Sequence, residues 1–390
     1  MRILFTGGGS GGHFFPILAV ARELKKVAED ERVLDLELYY MGPDDFGEDL
    51  LRSEEVISVI INSGKMRRYF SFLNITDVFK IIVGIARALW NMYLIMPDVV
   101  FSKGGYGAFP AIIAAYILHV PVMIHESDAV PGRVNRFAAR FARRIGIAFV
   151  AAKEYLPKGK SVLVGIPIRK RILGGDRSAA KEYFEINSDM PVVAFFGASQ
   201  GAQKINDAVL EILKELTDEY EVLHQTGEKN LEEVKGEASV VLERGHRDRY
   251  HVYGFLNERG MRDFYNVSDL IVARAGGSTI FEIAAWGKPS ILIPLRSAAQ
   301  DHQRKNAYEY ASRGATVVLE ESNLAPHLLL AEIRKIFAKP DVMQQMREAA
   351  QKFARIDSAE LIARELLKLA FHSTGTPFAE EKPYIPLNQS

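Results

Sequence analysis

Gly7-Gly8-Gly9-Ser10-Gly11-Gly12-His13 follows the apolar run Ile3–Thr6 and comes directly before an apolar stretch that begins at Phe14. Glycines allow the backbone to approach a phosphate closely, and the N-terminus of a following helix supplies free N–H groups. This order of strand, glycine turn and helix predicts a Rossmann-like unit. The first residues are therefore expected to form a β-strand and not a signal peptide.

The same order begins again at Pro191. An apolar run to Phe196 leads into Gly197-Ala198-Ser199-Gln200-Gly201. Short β-branched runs alternate with helical stretches in both halves, which predicts an α/β protein with two Rossmann-like domains that face a central cleft. The predicted strands are Ile3–Thr6, Leu36–Met41, Val99–Phe101, Val122–Ile124 and Ile145–Ala148, then Pro191–Phe196, Glu221–Gln225, His251–Tyr253, Leu270–Ala273, Ser290–Ile293 and Thr316–Leu319.

The chain has 390 residues, which exceeds what one hydrophobic core usually supports. We expect residues 1–168 and 169–354 to form the two domains, with the link near Gly165–Asp189. A helix at about 355–370 is expected to pack back on the first domain, and residues 371–390 are expected to form a mobile tail.

Bulk composition excludes several classes of protein. The formal net charge is zero, which argues against a general nucleic-acid binder. There is no cysteine, so disulfides and cysteine metal sites are excluded. No uninterrupted apolar run is long enough to predict a transmembrane helix, because Lys80, Gly84, Arg87 and Asn91 interrupt the most apolar stretch.

The first glycine turn also satisfies the dinucleotide fingerprint G-x-G-x-x-G through Gly7, Gly9 and Gly12. A dehydrogenase would place a carboxylate at the tip of its second strand, whereas this strand ends in Tyr40-Met41-Gly42. Further glycine turns occur at Gly104-Gly105-Tyr106-Gly107 and Ala275-Gly276-Gly277. Four such turns at strand ends favour diphosphate ligands on both sides of the cleft.

Five segments together resemble the MurG family: Gly7–Pro16, Lys103–Pro110, His125–Asn135, Gly197–Asn206 and Arg274–Gln303. The resemblance implies a GT-B fold and transfer of N-acetylglucosamine, with inversion, from UDP-GlcNAc to undecaprenyl-diphosphoryl-N-acetylmuramoyl-pentapeptide. That reaction is the step from lipid I to lipid II in peptidoglycan synthesis. No bound metal is required by the resemblance, although a divalent ion such as Mg²⁺ can assist.

The resemblance also implies a donor site formed mainly by the second domain. Glu282 is expected to hold the ribose, because a carboxylate accepts hydrogen bonds from both vicinal hydroxyls. The other residues implied for UDP-GlcNAc are Ser10, Gly11, Gly12, Asp128, Arg169, Ser199, Leu256, Gly277, Ser278, Thr279, His302, Gln303 and Asn306. Asp128 stands where the family has asparagine, and its negative charge would oppose a nearby diphosphate.

Inverting transfer needs a base for the proton of the acceptor hydroxyl. His13 is our first candidate, because it lies at the start of a helix beside the first glycine turn and imidazole titrates near neutral pH. The competitor is Glu126, and a purely structural role for His13 as a helix cap is the alternative. Residues expected to bind the acceptor diphosphate are Gly9, Gly104, Gly105, Tyr106 and Asn135.

Basic residues concentrate in the first half of the chain, with 14 basic and five acidic residues between Asn62 and Lys160. Basic side chains beside exposed aromatic ones suit an anionic bilayer surface. We expect membrane contact through Arg67, Arg68, Tyr69 and Phe70, at the cytoplasmic face of the plasma membrane. The apolar helix that follows has two interpretations, burial in the domain core or membrane contact, and the 65–73 segment is the better candidate.

Three rival functions remain open at this point. Another GT-B enzyme that uses a UDP-hexose to make a glycolipid is the nearest. A UDP-GlcNAc 2-epimerase has the same architecture but isomerises its substrate. A nucleotide-sugar-binding scaffold without catalysis would have to lack a working base, which His13 and Glu126 argue against.

Overall fold

The computed structural model describes residues 1–8, 11–43, 47–61, 63, 73–197 and 202–374. Within these residues the chain forms two parallel sheets, each flanked by helices. No helix of the described ranges combines the length and the apolar content needed to cross a bilayer.

The first sheet has the strand order β3-β2-β1-β4-β5-β6-β7, and all of its strand pairs are parallel. Its central strands are buried on both faces, as parallel sheets covered by helices require. The strands are β1 Arg2–Thr6, β2 Glu37–Gly42, β3 Val56–Ile60, β4 Val99–Ser102, β5 Val122–Glu126, β6 Arg144–Ile147 and β7 Ser161–Leu163.

The second sheet has the order β10-β9-β8-β11-β12-β13 and is also parallel. Every residue of Val192–Phe196, the first strand of this sheet in chain order, is buried, which explains why that segment is continuously apolar. The strands are β8 Val192–Phe196, β9 Glu221–Gln225, β10 Tyr250–Tyr253, β11 Leu270–Ala273, β12 Ser290–Leu292 and β13 Thr316–Val318. The strand order reverses on either side of β1 and of β8, so each domain has a crevice at that point.

Helices cover both faces of each sheet. Local capping fixes some of their starts: Asp176 accepts a hydrogen bond from the backbone of Ala179, and Asn257 accepts one from Gly260. The helices are α1 Gly11–Asp30, α2 Glu48–Ser53, α3 Leu73–Ile95, α4 Phe109–Ile117, α5 Arg133–Ala138, α6 Arg177–Tyr183, α7 Gln203–Glu211, α8 Leu213–Glu219, α9 Leu231–Val241, α10 Glu258–Val267, α11 Gly277–Ala285, α12 His302–Ala311, α13 Pro326–Phe337, α14 Pro340–Phe353 and α15 Ser358–Thr374.

The last described helix, α15, lies against α1 of the first domain. Its residues Ile362, Leu366 and Leu367 are fully buried in the same apolar cluster as Ile17 and Leu24. The chain passes from the first sheet to the second between Leu163 and Val192, and α15 returns to the first domain. The tail expected from Phe371 starts too early, because α15 continues to Thr374. Residues 375–390 lie outside the described ranges.

Each strand predicted from the sequence is present, with ends that differ by at most two residues. Two further strands, β3 and β7, were not predicted. Both lie at the outer edges of the first sheet. Only Val56 of β3 is buried, and Ile57 and Ile60 are exposed, so this strand lacks the buried run that marks the central strands.

Candidate functional site

Two glycine turns of the first domain form one continuous surface of bare backbone. Gly105, after β4, has a φ of +82°, and a Cβ there would lie 2.7 Å from the carbonyl oxygen of Gly8. Only glycine fits such an approach without strain. The turns after β1 and β4 therefore pack directly on each other at the carboxyl edge of the sheet. Gly9 and Ser10, which were assigned to this region from the sequence, lie outside the described residues.

His13 lies beside these turns, in the first turn of α1. Its Nδ1 is 3.1 Å from the carbonyl oxygen of Lys103. A carbonyl oxygen only accepts hydrogen bonds, so Nδ1 carries the proton and Nε2 of the neutral ring is an acceptor. Nε2 is 3.5 Å from the point that a Cβ would occupy if Gly105 carried a side chain, so it faces the second glycine turn. Burial and the charge of Lys103 lower the pKa of His13 to about 4, which keeps the ring neutral at pH 7.

Glu126, the competing base, organises the turn that follows β5. Its Oε1 accepts a hydrogen bond from the backbone of Asp128, and its Oε2 accepts one from the backbone of Gly132 and one from Nδ2 of Asn135. Burial and the neighbouring Asp128 raise the pKa of Glu126 to about 7. Two hydrogen bonds from the backbone of its own turn and one from Asn135 of α5 favour a positioning role for this carboxyl over proton transfer.

Asn135 is buried below the second glycine turn. A Cβ on Gly104 would lie 2.6 Å from Oδ1 of Asn135, so this amide supports the turn from beneath. Its Nδ2 also donates to the carbonyl oxygen of His125. Asn135 therefore shapes the proposed acceptor surface without being exposed on it. Tyr106, which begins the short helical turn before α4, is half-buried.

A buried cluster of Lys103, His125 and Ser127 lies behind His13. Nζ of Lys103 donates to Nδ1 of His125 at 2.6 Å and to the hydroxyl of Ser127. Nε2 of His125 donates to the carbonyl oxygen of Gly165 at 2.7 Å. Burial lowers the pKa of Lys103 to about 7, while Glu126 and Asp128 oppose that shift. Sequence reasoning missed this cluster, although a lysine directly after a buried strand and before two glycines was a usable signal.

The turn after β5 also joins the two domains. Asn306 of α12 donates from Nδ2 to Oδ1 of Asp128 at 2.9 Å, and its Oδ1 accepts from the backbone of Ala129 at 2.7 Å. Asn306 is fully buried and also lies 3.3 Å from the carbonyl oxygen of Ala275. Two residues assigned to the donor site, Asp128 and Asn306, are thus brought together from different domains.

Arg169 and Glu282 form a second junction. Nη2 of Arg169 donates to Oε1 of Glu282 at 3.1 Å, and the hydroxyl of Tyr265 donates to Oε2 at 2.9 Å. The guanidinium of Arg169 stacks over the ring of Phe15 from α1, 4.3 Å from its centroid. Its Nε is buried without a hydrogen-bond partner among the described residues. An unused guanidinium donor at a domain junction is suited to an anionic ligand.

The N-terminus of α11 faces the first domain. A Cβ on Gly277 would lie 2.4 Å from the carbonyl oxygen of Ser127, so glycine is required for this approach. Ser278 is half-buried and Thr279 is buried in the same first turn. The free N–H groups and partial positive charge of this helix end favour a phosphate.

The remaining donor-side residues are spread over two elements. Leu256, after β10, is buried in the core of the second domain, so only its backbone is suited to base recognition. Gln303 accepts a hydrogen bond from the backbone of Leu295 at 3.0 Å. His302 contacts the carbonyl oxygen of Ala299 through Nδ1 and lies close enough to affect the pKa of His13. Ser199 lies outside the described residues.

A large cavity, about 1440 Å³, lies away from the glycine turns. It is a groove between β6 and β7 on one side and α14 and α15 on the other, with charged residues of both signs along it. None of the described residues assigned to the donor, acceptor or catalytic set lines it. Among the described residues, no cluster of three or more acidic or histidine side chains is arranged to hold a metal ion.

Comparison with known proteins gives the same division of the chain. Residues 3–147 match the glycosyltransferase family 28 N-terminal domain, and residues 192–362 match the glycosyltransferase family 28 C-terminal domain. The UDP-N-acetylglucosamine--N-acetylmuramyl-(pentapeptide) pyrophosphoryl-undecaprenol N-acetylglucosamine transferase of Clostridium kluyveri is 35% identical over 93% of this chain and 99% of that protein. The enzyme of the same name from Legionella pneumophila is 34% identical over 93% of this chain and 96% of its own length.

Solved structures share the two-domain fold. The crystal structure of Acinetobacter baumannii MurG has a TM-score of 0.71 at 24% identity and covers 94% of this chain and 99% of that one. A UDP-GlcNAc 2-epimerase from Neisseria meningitidis has a TM-score of 0.68 at 15% identity, covering 94% and 100%. Both likenesses concern the fold alone, whereas the relatives that are about 35% identical in sequence show the family. The chain belongs to glycosyltransferase family 28, as a member of the MurG family with a GT-B fold.

Proposed function

We propose that this protein transfers N-acetylglucosamine from UDP-GlcNAc to undecaprenyl-diphosphoryl-N-acetylmuramoyl-pentapeptide, converting lipid I to lipid II. The observation that carries the proposal is the state of His13, a neutral imidazole with Nε2 facing the second glycine turn. Sequence relatives named for this activity align with this chain over nearly their whole length.

In the proposed reaction, the acceptor hydroxyl attacks the anomeric carbon of the donor sugar as its bond to UDP breaks. Nε2 of His13 takes the hydroxyl proton, and the configuration at the anomeric carbon inverts. The low pKa of His13 ensures that the free base is present at neutral pH. Bare backbone at Gly104 and Gly105 lets the acceptor diphosphate lie close to this base.

The leaving UDP gains negative charge on its diphosphate as the bond breaks. Arg169, whose Nε is unused, and the N-terminus of α11 are the groups we assign to stabilise that charge. Glu282 keeps capacity for the ribose hydroxyls even while it accepts from Arg169 and Tyr265, because each carboxylate oxygen has two lone pairs. The side chains of Arg169 and Tyr265 therefore orient Glu282 for the donor.

The same enzyme would reach its lipid substrate by docking on an anionic membrane surface through α3. This helix carries an exposed apolar face, with Phe79, Ile82, Trp90, Tyr93 and Leu94 each more than half exposed. Its opposite face, which includes Ala88 and Met92, is buried against the first sheet. Complete burial of α3 in the core is therefore wrong. The residues expected to contact the membrane lie outside the described ranges, namely Arg67, Arg68, Tyr69 and Phe70. We therefore assign membrane contact to the apolar face of α3.

A substrate-resolved assay tests the proposed function. The protein is incubated with radiolabelled UDP-GlcNAc and lipid I, and in parallel with UDP-glucose and with diacylglycerol. We expect label from UDP-GlcNAc to enter lipid II only. Label in a different glycolipid would favour another GT-B transferase, and conversion to UDP-N-acetylmannosamine without a lipid acceptor would favour an epimerase. Either result overturns the proposal.

A further inference from the structure

We infer that Lys103 is a positioning residue of the transfer site, which fixes the tautomer and orientation of His13 and supplies the positive charge that balances Asp128. This inference rests on the proposed role of His13 in sugar transfer. Within the part of the chain that the structure describes, the side chain of Lys103 donates to His125 and Ser127, so it acts through the residues that it holds.

The backbone of Lys103 ties together the two glycine turns. Its N–H donates to the carbonyl oxygen of Thr6 at the end of β1, and its own carbonyl oxygen accepts from Nδ1 of His13. Its Cβ lies 3.3 Å from the position of a Cβ on Gly7. The residue therefore sets both the spacing of the turns and the protonated nitrogen of His13.

The side chain of Lys103 is almost completely buried, at 1% exposure, and carries its Nζ to His125 and Ser127. A buried ammonium persists only where hydrogen bonds and opposite charges compensate its lost hydration. His125 supplies an acceptor at Nδ1, because its Nε2 proton is already donated to Gly165. Ser127 supplies the second acceptor.

Charged groups from three elements face this centre. His13 interacts with Lys103 after β4, with Asp128 after β5 and with His302 of α12. Lys103 interacts in turn with Glu126 and Asp128, and its charge also affects His125. Lys103 lowers the pKa of His13, whereas Asp128 raises it. The aspartate that replaces the family asparagine thus lies within electrostatic range of a buried lysine.

The charge of Lys103 offsets part of the repulsion that a carboxylate near a diphosphate would cause. Asp128 alone would repel the phosphates of both substrates. Lys103 offsets part of the charge of Asp128, and Oδ1 of Asp128 accepts the hydrogen bond from Asn306. Removal of the charge of Lys103 should raise the pKa of His13, and removal of the charge of Asp128 should lower it.

The test follows the imidazole signals of His13 directly, by NMR titration of the histidine-labelled protein, with His13→Gln to assign the signal. Lys103→Met and Lys103→Gln should each move the titration midpoint of His13 upward, toward the ordinary histidine value. Lys103→Gln keeps hydrogen-bonding capacity for His125 and Ser127, so it serves if the methionine variant does not fold. Adding Asp128→Asn to either variant should move the midpoint back down. Lys214→Met, an exposed lysine on α8, should leave the midpoint unchanged.

Transfer kinetics give the second readout. Lys103→Gln should lower kcat at least about tenfold at neutral pH and shift the acidic limb of kcat/KM upward, with UDP affinity unchanged. A His13 midpoint that stays in place in a folded Lys103 variant would overturn the inference. The titration needs no substrate, so failure of the wild-type protein to make lipid II would refute the proposed function while leaving the titration of His13 interpretable.

Discussion

Asn306 in the second domain and Asp128 in the first are joined by a hydrogen bond of 2.9 Å from Nδ2 to Oδ1. The same asparagine accepts the backbone N–H of Ala129 at 2.7 Å, so a single buried amide holds both the side chain and the backbone of the opposing turn. Because Glu126 fixes the other side of that turn, the position of Asp128 depends on both domains.

Replacement of Asn306 by alanine should lower the free energy of unfolding by about 2–3 kcal/mol, since it leaves the buried N–H of Ala129 and the buried carbonyl oxygen of Ala275 without this partner. The measurement is the urea midpoint and its slope. Asn187→Ala, at an exposed asparagine of the second domain, is the matched control and should change stability by less than about 0.5 kcal/mol. Equal effects of the two variants would contradict this domain-bridging role.

His13→Ala should lower kcat by about 10²–10⁴-fold with little change in the affinity for UDP-GlcNAc, because it removes the proton acceptor and not a donor contact. Burial and Lys103 lower the pKa of His13 to about 4, so its neutral form is lost only as the pH falls through that value. The acidic limb of kcat/KM for the wild-type enzyme should therefore lie well below pH 6. His327→Ala, at an exposed histidine of α13, should retain full activity. An unchanged kcat for His13→Ala would exclude it as the base.

Arg169→Lys should raise the dissociation constant for UDP about tenfold or more, even though the charge is kept. A lysine loses the planar fork that pairs with Glu282 and stacks over Phe15. Isothermal titration calorimetry with UDP measures this effect. The neighbouring variant Arg171→Lys is the control, because Arg171 is largely exposed and contacts Glu54 instead. Wild-type affinity in Arg169→Lys would remove the arginine from the donor site.

Serine in place of Trp90 and Tyr93 should weaken binding to vesicles of phosphatidylglycerol by about tenfold or more. Aromatic side chains of this kind anchor amphipathic helices at the interface of a bilayer. The two rings lie on the exposed face of α3, at 64% and 61% exposure. Val240→Ser, at an exposed apolar position of α9, should bind vesicles like the wild type. Vesicle sedimentation distinguishes these outcomes, and unchanged binding of the double variant would contradict docking through α3.

The fold was accessible from the sequence because its signals are local. A buried parallel strand must be continuously apolar, as β8 is, and a phosphate turn must be glycine-rich, as the turns after β1 and β4 are. The edge strands β3 and β7 lack that continuous burial and were not predicted, whereas the edge strands β10 and β13 of the second sheet were predicted. The exposed face of α3 was equally hidden, since an apolar helix gives no local sign of which face meets the core.

Most residues of the candidate site could be assigned from the sequence, but most of their contacts could not. The sequence by itself determined that glycine turns, His13 and a helix bearing Glu282 follow the strands, because each of these is a property of a few consecutive residues. Only the tertiary structure decided which atoms meet: the carbonyl of Lys103 with His13, Arg169 with Glu282, and Asn306 with Asp128. Those contacts join residues 90, 113 and 178 positions apart, and their geometry depends on how distant turns, helices and domains pack, which no local pattern encodes.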